Sequence, residues 1–185
     1  MALRLAGRYG YDPVEPFKPT FHEDKLYQPL HRKKPTIYAT CFMGDIGYCR
    51  DEWLVKILNV IRQCPQHTFI MLTKMPHLFL FRSRSFPDNV WFGTTITKNG
   101  ELYRIAQLIV LDVKHRIVSF EPLREKMSPN LEGIEGIAIG AKTGAHPFKP
   151  EPDDVIHLIA VARKYGCKIV TKENLDFYPK FVEWP

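Results

Sequence analysis

Cysteine is scarce, with four residues, Cys41, Cys49, Cys64 and Cys167, in a chain of 185. Successive cysteines have 7, 14 and 102 residues between them, which fits neither a zinc ribbon nor a cluster-binding triplet, and four thiols do not staple a chain this long. Reduced packing residues are the simple reading. Cys41 ends an apolar segment and so has a nucleophile's place, but no base partner is assigned to it. The seven histidines form no HxH or HExxH pattern, so no metal site is expected, and no serine lies in a GxSxG elbow. Long hydrophobic runs are missing too. The best, Thr68-Phe69-Ile70-Met71-Leu72, is far short of the ~20 residues that cross a bilayer. Met1-Ala2-Leu3-Arg4 lacks a signal-peptide pattern, so the expected location is cytoplasmic. There is no repeat, no low-complexity tract and no interdomain linker.

What remains is an ordinary globular composition, 45% hydrophobic and 25% charged. One domain of this length buries roughly 70% of the surface its unfolded chain exposes. Lys and Arg number 26 against 20 Asp and Glu, a net charge of +6, compatible with an anionic ligand or nucleic acid and equally with solubility alone.

Residues 1–35 are rich in Pro and aromatics and end in His31-Arg32-Lys33-Lys34-Pro35. They read as a helix remnant over Met1 to Arg8 and then an extended wrap. From Thr36 the texture changes. Six short segments read as buried strands: Thr36 to Phe42, Thr68 to Thr73, Val90 to Ile96, Arg116 to Glu121, Gly136 to Ala141 and Lys168 to Lys172. Five are nearly continuous apolar runs, as parallel strands covered on both faces are. Helices are expected over Asp51 to Cys64, with an acidic first turn and Pro65 as the stop, and over Glu151 to Tyr165, with Pro152 at its start and Gly166 as cap. A third covers Gly100 to Leu111, and a short one comes after Lys74. Strand starts recur every ~20–32 residues, the period of βα units. The class is α/β with about six mainly parallel strands, and periodicity leaves open whether they form a doubly wound sheet or a partial or complete (β/α) barrel.

In either architecture function gathers at the carboxyl ends of the strands. There stand Cys41 to Asp45, Thr73-Lys74, Thr94 to Gly100, Ser119 to Leu123, Gly140-Ala141-Lys142-Thr143-Gly144 and Lys172-Glu173-Asn174. Asp45, Lys74, Glu121, Lys142 and Lys172 would surround one mouth, where alternating charges suit a polar, zwitterionic or phosphorylated molecule. Each has a plain alternative. Glu121-Pro122 also reads as a strand terminus that caps the next helix, the three lysines as solvated loop residues, and Asp45 as a turn former. The glycines at 140 and 144 lack Walker or GxGxxG spacing and either permit a turn or let a ligand approach the backbone.

Taken in order, these motifs resemble those of an uncharacterised phage-associated family whose members are similar to radical S-adenosylmethionine enzymes. The residues that carry the resemblance are Phe17-Lys18-Pro19-Thr20-Phe21-His22, Met43-Gly44-Asp45, Pro65-Gln66-His67-Thr68-Phe69, Asn89-Val90-Trp91-Phe92-Gly93, Val118-Ser119-Phe120-Glu121-Pro122-Leu123, Ile139 to Gly144 and Lys172-Glu173-Asn174-Leu175. The resemblance implies a partial, TIM-barrel-like (β/α) fold. It also implies S-adenosylmethionine and a [4Fe-4S] cluster in a full-length form, with Met43, Gly44 and Asp45 at the methionine end of the cofactor and Glu121, Gly140 and Gly144 lining the remainder. Lys74, Lys142 and Lys172 are the candidate substrate-binding residues. In such members the cluster cysteines precede a helix similar to Met1 to Arg8, and none of the four cysteines here occupies a matching position. A first βα unit is therefore expected to be missing, and no cluster chemistry is expected of this chain alone. The rival expectation, from another class, is a non-catalytic nucleic-acid-binding protein of a mobile element, using His31 to Lys34, Arg82-Ser83-Arg84 and the rings of Tyr9 and Tyr11. A third is an enzyme acting on a phosphorylated metabolite through Lys74, Lys142 and Lys172.

Overall fold

The computed structural model describes residues 6–8, 11–41, 44–82, 85–175 and 180–184. Six strands, β1 (Ile37–Thr40), β2 (Thr68–Thr73), β3 (Val90–Thr95), β4 (His115–Phe120), β5 (Gly136–Ile139) and β6 (Lys168–Thr171), lie side by side in the order in which they occur in the chain. Every adjacent pair is parallel. A doubly wound sheet reverses its strand order at a switch point. Here no reversal occurs, so the strands make a curled half-barrel, which is the partial (β/α) barrel that the sequence left as one of three choices.

The helices form because their apolar residues recur at helical spacing and their ends are marked. Helix α2 (Asp51–Arg62) opens on Asp51 and Glu52, ends in Arg62, and buries Leu54, Leu58, Val60 and Ile61 on one face. Acids at the start and a base at the end suit the helix dipole. Helix α4 (Pro152–Lys164) repeats the plan with Asp153 and Asp154, then Arg163 and Lys164, and buries Val155, Leu158, Val161 and Ala162. Each such side chain contributes roughly 1.5–3 kcal/mol on burial. These faces pack on Phe69, Met71, Phe92, Val118, Phe120, Ile137, Ile139 and Ile169, which alternate along the strands to form the outer face of the sheet. Between β4 and β5 there is no helix. Leu123, Met127 and Leu131, all fully buried, cover the sheet there from an irregular segment.

Helix α3 (Tyr103–Ile109) is shorter than the expected Gly100 to Leu111, and a 3-10 turn, Asn99–Glu101, precedes it. The Glu101 side chain turns back to accept from the Thr97 N–H at 2.7 Å and the Thr97 hydroxyl at 3.0 Å, which tightens that first turn. The stretch read as an extended wrap contains helix α1 (Glu23–Leu26) and a 3-10 turn, Gln28–His31. Of the helix expected over Met1 to Arg8, residues 1–5 lie outside the described residues, and Gly7 sits in a turn at φ 71°.

The inner face carries a small cluster of its own, Trp91, Ile117, Ala138 and Trp184. Trp184 reaches it because residues 180–184 run back antiparallel along β6, with Val182 opposite Val170. Thr171 N–H donates to Phe181 O at 2.9 Å and Glu183 N–H to Ile169 O at 3.1 Å. The Trp184 indole stacks on Trp91 at 5.4 Å and donates to Ile137 O at 3.0 Å. Gly136 makes room for it: a Cβ there would stand 2.9 Å from the indole.

Candidate functional site

Parallel strands that start together also end together, so the loops after β1, β2, β4, β5 and β6 share one rim of the half-barrel. The candidate residues on it fall into two groups.

In the first, Asp45 comes after β1 and holds the end of β2. Its Oδ1 accepts from the Gly47 N–H at 2.8 Å and the Thr73 hydroxyl at 2.5 Å, and its Oδ2 accepts from the Lys74 N–H at 2.8 Å. Thr73 in turn accepts from the Met75 N–H at 2.9 Å. The carboxylate thereby caps the 3-10 turn Ile46–Tyr48 and fastens two neighbouring loops together. Sequence reading missed Gly47, where a Cβ would stand 2.7 Å from Met75 and 3.1 Å from both Asp45 and Thr73. Gly44 donates to Cys41 O at 2.9 Å, and a Cβ on it would meet nothing within 4 Å, so no crowding demands a glycine there. The Lys74 side chain is exposed and has no partner among the described residues. Met43 lies outside them.

The second group joins β4, β5 and β6. Glu121, on a cis bond to Pro122, pairs with the Lys172 ammonium. Gly140 lies beneath the carboxylate, and a Cβ at 140 would come within 3.1 Å of the Glu121 Cγ and Oε1. A side chain at 140 would therefore push the Glu121 carboxylate aside by a few tenths of an ångström. Next to it, Asn174 clamps the Ala141 peptide from both sides, accepting from Ala141 N–H at 3.1 Å and donating to Ala141 O at 2.8 Å. Lys142 and Phe148 exchange backbone hydrogen bonds of 2.8 and 3.1 Å that close a small loop, in which Gly144 takes φ 84° and His146 φ 60°. Gly144 therefore answers to the turn, since a Cβ there would meet nothing within 4 Å. Sequence reading gave Asn174 no role, because an amide in a loop offers no signal of the distant peptide it will clamp.

The structure thus brings Glu121, Gly140 and Lys172 into contact, with Lys142 and Gly144 on the adjoining loop, and it ties Asp45 to Lys74 through the Lys74 backbone. The remaining polar groups near the rim hold the loop after β3. Arg104 donates to Thr95 O at 2.8 Å and pairs with Glu101 at 3.2 Å. Burial alone would raise the Glu101 carboxyl, but the Thr97 hydrogen bonds and the Arg104 charge outweigh it and hold the group below its usual value.

The described residues contain no group of three or more His, Cys, Asp or Glu placed to hold a metal ion. Cys49, Cys64 and Cys167 are buried in the core. Cys64 and Cys167 precede β2 and β6, at the opposite rim from Cys41. The thiol of Cys41 is pushed up to about 12 by desolvation, helped by Cys49 and Asp45, and that of Cys49 to about 11, again chiefly by desolvation. At neutral pH both are protonated and weak nucleophiles, although Cys41 as a residue is exposed. Of the basic groups raised for nucleic acid, Arg32, Lys33 and Lys34 are exposed, whereas Tyr11 is half-buried. Tyr9, Ser83 and Arg84 lie outside the described residues. No helix among the described residues is long and apolar enough to cross a membrane.

Among known protein families, one described as a protein of unknown function, DUF5131, matches residues 2–178. The chain belongs to that family. No curated protein and no solved structure matches it.

Proposed function

We propose that this chain is a half-barrel of the radical S-adenosylmethionine type that binds S-adenosylmethionine at the carboxyl ends of its strands. The observation that supports this most is the trio of Glu121, Gly140 and Lys172 on three adjacent strand ends. The amino-acid end of S-adenosylmethionine carries one ammonium and one carboxylate. Lys172 offers a cation to the carboxylate and Glu121 an anion to the ammonium, while Gly140, buried with its N–H and C=O bonded to Phe120 and Leu123, lets the Glu121 side chain lie close over the strand end. Without ligand the two side chains neutralise each other, so neither charge is left uncompensated at the rim. Bound there, the cofactor would supply an activated sulfonium.

A cluster is a different matter. Cluster iron is held chiefly by cysteine thiolates, and the four thiols of this chain are dispersed between two rims and the core. They do not fit a [4Fe-4S] centre.

Equilibrium dialysis with S-adenosylmethionine and with 5′-methylthioadenosine, which lacks the amino-acid end, tests the reading. S-adenosylmethionine should bind at least about tenfold more tightly, equivalent to ~1.4 kcal/mol, and Gly140→Ala or Lys172→Met should remove the preference. Equal binding of the two compounds, or none at all, would sink the proposal. Nucleic-acid binding has the exposed run Arg32 to Lys34 in its favour. It lacks a free stacking ring among the described aromatics named for it, since Tyr11 lines a cavity.

A further inference from the structure

Three loops on the carboxyl rim each leave one aromatic ring in solvent. Tyr48, after β1, is 62% exposed, Phe81, after β2, 91%, and Tyr103, at the start of α3, 56%. These loops are tied to one another. Asp45 caps the turn that carries Tyr48. Arg82 donates to Gly47 O at 3.4 Å and pairs with Asp51 at 3.3 Å, which holds Phe81 beside that turn. The 3-10 turn Pro76–Phe79, just before Phe81, packs against α3. A single exposed ring is ordinary on a protein surface, whereas rings on three consecutive strand ends of one rim form a platform.

Charge on the same rim is lopsided. Asp45, Glu101, Glu121 and Glu125 each accept from or pair with a neighbour. Glu173 has no partner among the described residues. Against it stand Lys74, Lys98 and Lys142, after β2, β3 and β5, none with an ion pair among the described residues. Adjacent strands lie about 4.8 Å apart, so these three cations are strung over roughly 14 Å, which suits a row of phosphates better than a single one.

We propose that this rim binds single-stranded nucleic acid, with bases stacked on Tyr48, Phe81 and Tyr103 and phosphates at Lys74, Lys98 and Lys142. Every base has a flat face, so a platform of this kind takes the whole class without reading a sequence. A strand that runs from Tyr48 to Lys142 passes Glu121, one of the two groups assigned above to S-adenosylmethionine. That the nucleic acid is a substrate as well as a ligand rests on that cofactor reading.

The probe is a fluorescein-labelled oligothymidylate of twelve nucleotides, titrated by anisotropy into the full chain. No S-adenosylmethionine is present, so failure here and failure of the cofactor reading are separate results. The oligonucleotide should bind at least about tenfold more tightly than an abasic strand of the same length. Its log K should fall with log salt at a slope of about −2, three phosphates at roughly 0.7 each. Tyr48→Ala combined with Phe81→Ala should weaken binding at least about tenfold, and Lys74→Met combined with Lys98→Met should flatten the slope by about 1.4. These four residues are exposed, so the thermal midpoint should be retained. Should the double ring variant fail to fold, Tyr103→Ala carries the same test. Replacing Arg32, Lys33 and Lys34 by glutamine, at the opposite rim, should change binding by less than about twofold. No binding, equal binding of the abasic strand, or binding that survives the ring variants but is lost with Arg32 to Lys34 would overturn the proposal.

Discussion

Asp45 is the rim residue whose role can be separated most cleanly by one substitution. Asp45→Ala deletes an acceptor that serves three donors. Lys74 is exposed, so its N–H regains water at little cost. Gly47 is buried, and Thr73 is only 1% exposed. Two buried donors left unsatisfied would cost about 1–3 kcal/mol each. The Thr73 hydroxyl can rotate toward another acceptor, which brings the expected loss to ~3 kcal/mol. In a chain of this size 1 kcal/mol corresponds to ~2–4 °C in Tm, so the variant should melt ~6–12 °C lower. Asp45→Asn keeps Oδ1 for Gly47 and Thr73 but sets an amide N–H against the Lys74 N–H, and should cost about half as much. Urea titration monitored by circular dichroism gives both values, with an unchanged slope showing that only stability moved. A loss below ~1 kcal/mol for Asp45→Ala would refute the view of Asp45 as a fastener between loops. If stability held while S-adenosylmethionine binding vanished, the carboxylate would be a ligand group instead.

Two further outcomes are expected. Trp184→Ala removes a side chain 9% exposed that stacks on Trp91 and caps Ile137 O, and should cost about 3–5 kcal/mol in urea unfolding; a loss under ~1 kcal/mol would mean that residues 180–184 do not hold the inner face. Glu101 has a folded pKa below its ordinary value of 4.5, so its ionised form stabilises the fold fully above that value and the contribution disappears as pH falls through the lower folded pKa. Wild type and Glu101→Gln should accordingly differ most in stability at neutral pH and converge in acid, and a gap that widens below pH ~4 would contradict the Thr97 and Arg104 contacts.

The sheet was legible because its signals are local. Thr68 to Thr73 stands between Pro65-Gln66-His67 and Lys74, and the observed β2 has those same ends. Acids, bases and apolar spacing fixed α2 and α4 to within two residues at either end. Strand order was not legible, since βα periodicity is common to barrels and doubly wound sheets. Four-residue helices such as α1 are too short to show a period, which is why the wrap read as extended. Trp184 was passed over because an inner-face anchor held by a single return segment has no pattern in its own neighbourhood. The same holds at the rim. Glu121, Gly140 and Lys172 were each named from their place at a strand end, but that Glu121 and Lys172 neutralise each other, and that Asp45 spends its oxygens on holding two loops, depends on contacts between separate segments.

The unreversed order of the strands bears on how the molecule is made. Each strand from β2 onward finds its partner already synthesised, so the sheet can be laid down in the order in which the polypeptide leaves the ribosome. Trp91 is the exception. It lies on β3, and the indole that stacks on it arrives only after β6. At ~5–20 residues per second that delay is on the order of ten seconds, during which the hollow of a nearly finished sheet stays greasy and unsealed. A chaperone that holds nascent chains would find its longest opportunity there.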